Sequence, residues 1–390
     1  MNIERILLIM GNIILSCHCF GLTPIIKWAG GKERELPQII ENAPKEYDRY
    51  FEPFVGGGSV FVAMTAKEYF INDKSDELIS LYMAIKTRDV KVFAALGAIN
   101  ESWKGMQAFV SSHMSELQVI YGRYRSGALS DLEVKDALCV FIRNNFAPLR
   151  SVLNGMDLDA DQYKKELERN TVQKFKRMKK IESSRNIMPE SDLEDNVRTA
   201  FMSSLYMYYR HLYNCRAKFL RPELDVALFV FIRNYAYSGM FRYNSDGDFN
   251  VPYGGIGYNG KLLDKKLAYY QSAELVEHFN NATVECLDFE DFFRKHPPKD
   301  NDFIFLDPPY DSDFSTYAQN AFGKEDQERL ASYLINECKG KWLMIIKNTP
   351  FIYALYNKPG IKIKAFDKKY QVSFMNRNDK DVEHLIITNY

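Results

Sequence analysis

Residues 303–310 read Phe-Ile-Phe-Leu-Asp-Pro-Pro-Tyr, an apolar run that ends in an acid, two prolines and an aromatic ring. Such a run is typical of a buried parallel strand whose carboxyl end opens into a site. The prolines fix φ and lack N–H groups, so the loop is stiff and its carbonyls can accept hydrogen bonds. This arrangement suits a planar ligand with an exocyclic amino group, although Asp-Pro-Pro also occurs as an ordinary strand-ending turn.

Strands alternate with helices on both sides of this segment, which indicates an α/β fold with a mostly parallel, doubly wound sheet. Upstream, the strand Tyr50–Val55 leads through a glycine turn into a predicted helix, Val60–Lys67, and then a strand, Tyr69–Asn72. Ser75 is placed to cap the helix that follows. We predict the later strands at Thr283–Leu287, Phe303–Leu306, Trp342–Ile346, Ile361–Phe366 and Leu385–Thr388.

A helix-rich stretch separates the two α/β parts, so we predict one sheet domain, residues 22–99 and 265–390, interrupted by an insertion at 100–264. The insertion contains a repeat, because 137–146 resembles 227–236: Ala-Leu-Cys-Val-Phe-Ile-Arg-Asn at 137–144 recurs with one change at 227–234. We interpret it as a local duplication. Residues 235–254 predict a β-hairpin with Asp246-Gly247 in its turn.

The composition indicates a globular protein and leaves its partner open. Hydrophobic residues make up 46% of the chain, which excludes a disordered protein. Lys plus Arg equals Asp plus Glu at 51 each, so a nucleic-acid surface must come from local clustering. The cysteines are scattered, and the close-set Cys17-His18-Cys19 has no second pair at metal spacing. We therefore expect a reduced, cytoplasmic protein without metal.

Residues 1–21 form an apolar leader of uncertain status. The apolar run from Ile6 to Phe20 is short for a membrane span and resembles the core of a signal peptide. The alternatives are a start codon placed too far upstream or a leader without a role. We expect no membrane association, because the rest of the chain indicates cytoplasmic chemistry.

A basic helix is predicted at Lys164–Arg185, where nine Lys and Arg residues stand against Glu166, Glu168 and Glu182. Such a run is either a solvated helix face or a surface that contacts phosphates. The sequence leaves both interpretations open.

Three further motifs carry chemistry. Glu52–Ser59 places three glycines between a strand and a predicted helix, where they serve either packing or the approach of an anionic ligand. Asp73 ends the next strand, where doubly wound folds bind ribose hydroxyls, but it could also cap the following helix. Lys27-Trp28-Ala29-Gly30-Gly31-Lys32 joins an aromatic ring, a flexible turn and two cations; its alternative is a core tryptophan between surface lysines.

Together these segments resemble the DNA adenine-N6 methyltransferases of the Dam type, the D12 class. The matching segments occur in the family's order: Lys27–Lys32, the donor loop Glu52–Phe61, the ribose acid Asp73, the DNA-reading hairpin with Arg242–Asn244 and Phe249–Pro252, the catalytic loop Asp307–Tyr310 and the closing strand Glu383–Tyr390. The resemblance implies a Rossmann-like class I methyltransferase sheet interrupted by a helix-rich DNA-recognition insertion.

The resemblance also implies S-adenosyl-L-methionine as the methyl donor. Its implied contacts are Lys27, Trp28, Ala29, Gly30, Glu52, Pro53, Phe54, Gly56, Gly58, Asp73, Asp288, Phe289 and Asp307. The implied catalytic residues are Asp307, Pro308 and Tyr310. Asp307 and the Pro308 carbonyl would accept the two N–H bonds of the adenine amino group and point its lone pair at the methyl group, in a direct transfer. Tyr310 would stack on a base flipped out of duplex DNA.

The resemblance further implies DNA contacts at Lys27, Lys32, Tyr237, Ser238, Met240, Arg242, Asn244 and Pro252. Arg242 would read guanine, Tyr237 would lie near the space left by the flipped base, and Met240 and Pro252 would touch thymine methyls. Ser238 stands where the family often has Asn, and Gly255-Ile256 replaces a basic–aromatic pair. These departures leave the recognition sequence open around an expected GATC-like site.

The expected partner is double-stranded DNA, with the protein acting as a monomer. A cognate restriction endonuclease that acts separately is consistent with the resemblance. Two alternatives differ in class: an RNA or protein-amide methyltransferase, and a non-catalytic DNA-binding member of a restriction or phage-defence system. The Lys27–Lys32 motif and the Arg242 hairpin disfavour the first, and the intact Asp307, Tyr310 and glycine turn disfavour the second.

Overall fold

The computed structural model describes residues 21–28, 30–184, 187–310, 322–369 and 381–390. The leader predicted at 1–21 lies outside these residues except for its last position. Ala29, an implied donor contact, and Arg185, at the end of the predicted basic helix, also lie outside them.

The chain divides into two compact units. The sheet unit runs up to Arg88 and resumes at Tyr270, and the helical unit is Asp89–Tyr269. The predicted boundaries, after residues 99 and 264, both fall within continuous helices. One is Val90–Ser112, which Asp89 caps by accepting from two backbone amides, and the other is Asp264–Tyr270.

The described part of the sheet unit contains one seven-stranded sheet. Its strands are β1 (Arg49–Glu52), β2 (Glu68–Asn72), β3 (Ala282–Glu285), β4 (Phe303–Leu306), β5 (Lys341–Lys347), β6 (Lys362–Lys369) and β7 (Asp381–Thr388). Their order is β3-β2-β1-β4-β5-β7-β6, and β7 runs antiparallel to both of its neighbours while the other pairs are parallel. The prediction of a mostly parallel sheet is confirmed, and the strand order reverses between β1 and β4.

Helices cover both faces of this sheet. Its helices are α1 (Leu36–Asn42), α2 (Asp76–Thr87), α11 (Ala273–Asn280), α12 (Phe289–Lys295), α13 (Lys324–Asn336) and α14 (Pro350–Tyr356). Successive side chains of a strand point to opposite faces. Phe51 and Phe70 stack at 4.7 Å in the cluster that includes α12, α13 and α14, whereas Tyr50 and Tyr69 point to the opposite side. Because both faces are covered, β4 is buried along its whole length.

The helical unit consists mainly of helices that pack along one another. They are α3 (Val90–Ser112), α4 (Met114–Arg125), α5 (Asp131–Asn144), α6 (Phe146–Ser151), α7 (Ala160–Ser184), α8 (Glu190–Asn214) and α9 (Pro222–Tyr235), followed by α10 (Asp264–Tyr270) at the boundary. The two copies of the repeat lie in α5 and α9. In α5 the buried residues form one face, whereas every residue of α9 from Val226 to Tyr235 is buried.

One predicted element is wrong. Residues 60–67 do not form an α-helix, and only Phe61–Ala63 makes a short 3₁₀ turn. Val60, Phe61, Val62 and Met64 are all buried. In an α-helix these four side chains would not share one face, so a single buried helix face could not cover them all. The Tyr69 hydroxyl instead bonds the Met64 carbonyl and the Ala66 amide. The glycine turn is therefore not followed by a helix N-terminus that could attract an anion.

Other local predictions are confirmed. Ser75 caps α2 by accepting a hydrogen bond from the Leu78 amide. The hairpin is present as antiparallel bridges between Ala236 and Tyr253 and between Tyr243 and Phe249, without regular strands. No helix in the described ranges is long and apolar enough to cross a bilayer.

Candidate active site

Four acids lie at or just after the carboxyl ends of neighbouring strands. Glu52 is the last residue of β1, Asp73 follows β2, Asp288 lies three residues after β3, and Asp307 follows β4. These strands are adjacent and parallel, so their carboxyl ends share one edge of the sheet. The reversal of strand order between β1 and β4 marks the crevice in which doubly wound sheets bind ligands. The four acids identified in the sequence therefore lie along one edge of the sheet.

Asn72, which the sequence reasoning missed, joins three of these strand ends. Its Nδ2 donates to the Pro53 and Leu287 carbonyls, both at 3.0 Å, and its Oδ1 accepts from the Leu287 amide at 2.8 Å. The side chain is only 1% exposed. A polar residue that closes the apolar strand Tyr-Phe-Ile-Asn was the available signal, because a buried amide must find partners.

The glycine turn is packed tightly by the protein itself. A Cβ on Gly57 would lie 2.5 Å from the Ile26 carbonyl oxygen, and one on Gly56 would lie 2.9 Å from Trp28 Cδ1. Gly58 has φ +74° and its Cβ would lie 2.9 Å from the Tyr82 hydroxyl. Close packing therefore accounts for the three glycines, and Trp28 is a half-buried wall of the turn.

Asp73 braces this turn. One carboxylate oxygen accepts from the Gly56 amide at 3.0 Å and the other from the Ser75 amide at 3.0 Å. Burial raises the pKa of Asp73, and the hydrogen bonds from the backbone amides oppose that rise. The acid thus links the end of β2 to the glycine turn and to the start of α2.

Asp288 precedes α12 and Phe289 is its first residue. Both lie next to Arg329, which the sequence reasoning missed. Asp288 caps the helix at the Glu290 amide and lies 3.3 Å from the Arg329 guanidinium. Burial alone would raise the pKa of Asp288, but the hydrogen bonds from Arg329 and the Glu290 amide lower it. The Arg329 guanidinium also lies 4.8 Å from the centre of the Phe289 ring.

Phe289 exposes almost none of its ring. The residue is 2% exposed, and its ring centre lies 5.9 Å from that of Phe54, another aromatic residue of the implied donor contacts. A stacked adenine would require Arg329 or a neighbouring ring to move away from it. The Phe289 ring is covered by its neighbours in this structure, and its stacking on adenine stays a prediction.

The residues of the catalytic loop surround a buried cation. The Lys32 ammonium bonds Asp307 Oδ2, the Gly30 carbonyl at 2.9 Å and the Tyr310 hydroxyl at 3.3 Å. The Lys32 side chain is 2% exposed, compared with 20% for Asp307. Lys32 was predicted to contact DNA, but the structure places its ammonium against the carboxylate, because the Lys27–Lys32 segment folds against the strand ends. Lys27 is exposed.

Glu52 is the buried neighbour of this ion pair. Tyr50 donates a hydrogen bond to Glu52 Oε2 at 2.7 Å. Burial, reinforced by the charge of Asp307, raises the pKa of Glu52 well above its usual value, although Tyr50 and Lys32 oppose the rise. Glu52 is therefore held towards its protonated form.

Two further side chains, both missed by the sequence reasoning, support the catalytic loop. Gln327 donates from Nε2 to the Pro309 carbonyl at 2.8 Å. The buried ring of His384 on β7 packs edge-on to Tyr310, with ring centres 5.5 Å apart. Pro308 is buried between Asp307 and the exposed Pro309. The loop is thus supported from α13 and from β7.

In the helical unit, the hairpin presents several of the implied DNA contacts to solvent. Tyr237 is 48% exposed, and Ser238, Arg242 and Pro252 are exposed, whereas Met240 is half-buried. Arg242 Nε donates to Asn250 Oδ1 at 3.0 Å across the hairpin.

Asn244 has a local role in the hairpin turn. Its side-chain oxygen accepts from the Asp246 amide at 3.1 Å and the Asp248 amide at 2.8 Å. Gly247, in the same turn, has φ +81°.

The basic helix forms, and several of its cations are already engaged. Arg169 pairs with Glu166, Lys176 with Asp131, and the Lys179 ammonium lies 4.0 Å from the Tyr124 ring centre. Both interpretations of this helix remain open. Across the described ranges, no group of three or more His, Cys, Asp or Glu side chains is placed to hold a metal ion.

The strand order and the acids at the strand ends define the class of an α/β protein with a ligand site at the topological switch point. The family is given by sequence comparison: a model of the D12 class N6 adenine-specific DNA methyltransferases matches residues 28–372. The chain belongs to this family and is an enzyme of it.

Named relatives have similar sequences over most of their length. The chain is 25% identical to the Type II methyltransferase M1.LlaDCHI of Lactococcus lactis subsp. cremoris, over 97% of this chain and 99% of the relative. It is 24% identical to the Type II methyltransferase M.CviBI of Paramecium bursaria Chlorella virus NC1A, over 95% and 100%. It is also 24% identical to the DNA adenine methylase of Escherichia coli (strain K12), over 78% and 73%.

Proposed function

We propose that this enzyme transfers a methyl group from S-adenosyl-L-methionine to the N6 amino group of adenine in duplex DNA. The observation that carries the proposal is the placement of Asp307. It stands at the carboxyl end of β4, next to the strand-order reversal, and begins a stiff Pro-Pro loop that ends in Tyr310. An acid and a carbonyl held rigidly beside an aromatic ring suit a flat base with an amino group.

The residues along the sheet edge fit the chemistry of such a donor, which supplies a methyl group bonded to a sulfonium sulfur. Asp73 accepts backbone hydrogen bonds at both carboxylate oxygens, and a carboxylate has about four lone-pair sites, which leaves capacity for a ribose hydroxyl. The other described residues of the donor site that we propose are Lys27, Trp28, Gly30, Glu52, Pro53, Phe54, Gly56, Gly58, Asp288 and Phe289. Binding there also requires Arg329 to uncover Phe289.

The transfer needs an acceptor nitrogen whose lone pair is available. The lone pair of an adenine amino group is delocalised into the ring, so the nitrogen is a weak nucleophile. Asp307 and the Pro308 carbonyl would accept its two N–H bonds and turn the lone pair out of the ring plane. The nitrogen would then bond to the methyl carbon while the carbon–sulfur bond of the donor breaks. The electron pair of that bond would stay on sulfur, and one proton would leave the nitrogen to solvent. Fixed acceptors and placement supply the rate enhancement.

Access to the amino group requires the base to leave the duplex. Within the helix this group is paired, so the adenine must be flipped out, and Tyr310 would stack on it. In the helical unit, Arg242 would read guanine through O6 and N7. The remaining DNA contacts at a GATC-like site would come from Lys27, Tyr237, Ser238, Met240, Asn244 and Pro252.

Incorporation of labelled methyl groups into duplex oligonucleotides tests the proposal. A duplex with a GATC site is compared with one whose target adenine is already N6-methylated, and the product is digested to nucleosides. We expect label in N6-methyladenine from the first duplex only, and none with Asp307→Asn, which keeps the size of the side chain but loses its charge. Label in N4-methylcytosine, preference for RNA, or DNA binding without transfer would each overturn the proposal.

A further inference from the structure

The ammonium of Lys32 is fixed from several sides at a buried position. Its backbone amide donates to Ser59 Oγ at 3.2 Å, which ties it to the end of the glycine turn. Its Nζ donates to the Gly30 carbonyl and to the Tyr310 hydroxyl, and it bonds Asp307 Oδ2. A lysine rarely loses its water without a specific partner, because burial of an uncompensated charge is costly. Asp307 is that partner.

Two carboxyl groups share this region, and their environments differ. Glu52 and Asp307 end the adjacent strands β1 and β4, and the charge of Asp307 is felt at Glu52. Glu52 is buried and receives the Tyr50 hydroxyl, whereas Asp307 receives the ammonium. When two nearby carboxyl groups compete for ionisation, the one beside a cation keeps its charge. The arrangement therefore concentrates the negative charge on Asp307.

We infer that Lys32 is a positioning residue that keeps Asp307 ionised and fixes the direction of its carboxylate. This inference rests on the proposed methyl transfer. An ionised Asp307 can only accept hydrogen bonds, as the amino group of adenine requires. A protonated Asp307 would keep only a neutral, weaker acceptor and would add an O–H donor that opposes an amino N–H. Lys32 acts through Asp307 and is not itself required to touch the substrate.

The sign of the resulting pH dependence follows from this ion pair. A neighbouring cation lowers the pKa of an acid, so the active, ionised form of Asp307 persists to lower pH while Lys32 is present. Among the described residues, the titratable groups around Asp307 and Lys32 include Glu52 with its partner Tyr50, and Tyr310, against which His384 packs. Without Lys32, Asp307 would take up its proton at higher pH.

Single-turnover rates of methyl transfer, measured against pH with saturating donor and duplex oligonucleotide, test the inference. In Lys32→Met we expect the acid limb of the rate profile to move up by about 1–3 pH units, the usual effect of an adjacent cation on an aspartate. Lys32→Arg keeps the charge, so its acid limb should stay within about 0.5 pH unit of the wild type, well short of that shift. An equal loss of rate at every pH, with an unmoved limb, would overturn the inference and show a structural role only.

Two further variants keep the result unambiguous. If Lys32→Met fails to fold, Lys32→Gln retains a polar side chain without the charge and must show the same upward shift. The double variant Lys32→Met/His384→Gln should keep the shifted limb, and its disappearance would assign the titration to His384 and overturn the inference. A wild-type protein without transfer to adenine would defeat the proposed function itself, whereas an active wild type with an unmoved limb in the variant would defeat only the role of Lys32.

Discussion

Replacing Asn72 by alanine should destabilise the sheet unit and disturb two parts of the proposed donor site at once. The side chain makes three buried hydrogen bonds, two to carbonyls and one from an amide. At about 1 kcal/mol for each hydrogen bond, the free energy of unfolding should fall by about 3 kcal/mol. The loss should be larger if the Leu287 amide stays buried without a replacement partner, since an unmade hydrogen bond costs its full desolvation.

Urea denaturation followed by circular dichroism measures this loss, and calorimetry with S-adenosyl-L-methionine measures its effect on the site. Donor binding should weaken, because Pro53 and the segment that leads to Asp288 both depend on Asn72. The matched control is Asn336→Ala, on the exposed face of α13, which should stay within about 0.5 kcal/mol of the wild type. A loss below about 1 kcal/mol in Asn72→Ala would refute the reasoning that this amide holds the strand ends together.

Three other predictions follow from the same structure. Arg242→Ala should relax discrimination at one guanine by about 1–3 kcal/mol, and Asn250→Ala should reproduce part of this loss, as measured by kcat/KM on single-base variants of the site. Gly57→Ala should lower the free energy of unfolding by about 1–3 kcal/mol, because its Cβ would meet a backbone oxygen. Gly31→Ala is the control and should be tolerated. Equal urea midpoints for the two variants would contradict this prediction. Burial lowers the pKa of His278, so the unfolded protein binds the extra proton first. Stability should then decline as pH falls below about 6.5, and His278→Gln should flatten that decline in thermal melts.

The sequence predicted the strands well because each is a short apolar run with a clear end. Phe303–Leu306 was predicted with the observed bounds, and Trp342–Ile346 lies within β5. Acids at the ends of parallel strands could be assigned to one edge without coordinates, since parallel strands end on the same side. The same reasoning failed at Val60–Lys67, where buried side chains on several sides overrode the helical pattern.

The partners within the site could not be read from the sequence. Lys32 and Asp307 are 275 positions apart, so their contact depends on the tertiary fold. Asn72, Arg329 and His384 are ordinary polar residues in the sequence, and only their burial or their contacts single them out. The sequence assigned Lys32 by its family position alone, which gave no information about its burial.

Two eight-residue stretches that differ only at Cys139 and Phe229 have different surroundings in the helical unit. At 137–144, Val140, Arg143 and Asn144 face solvent, whereas their counterparts at 227–234 are all enclosed by neighbouring side chains. Mutational tolerance should therefore differ sharply between two nearly identical stretches. In a library of random variants, polar replacements should be tolerated at Val140 and lost at Val230. The sequence similarity that indicates a duplication should therefore be lost first through changes in the exposed copy at 137–144.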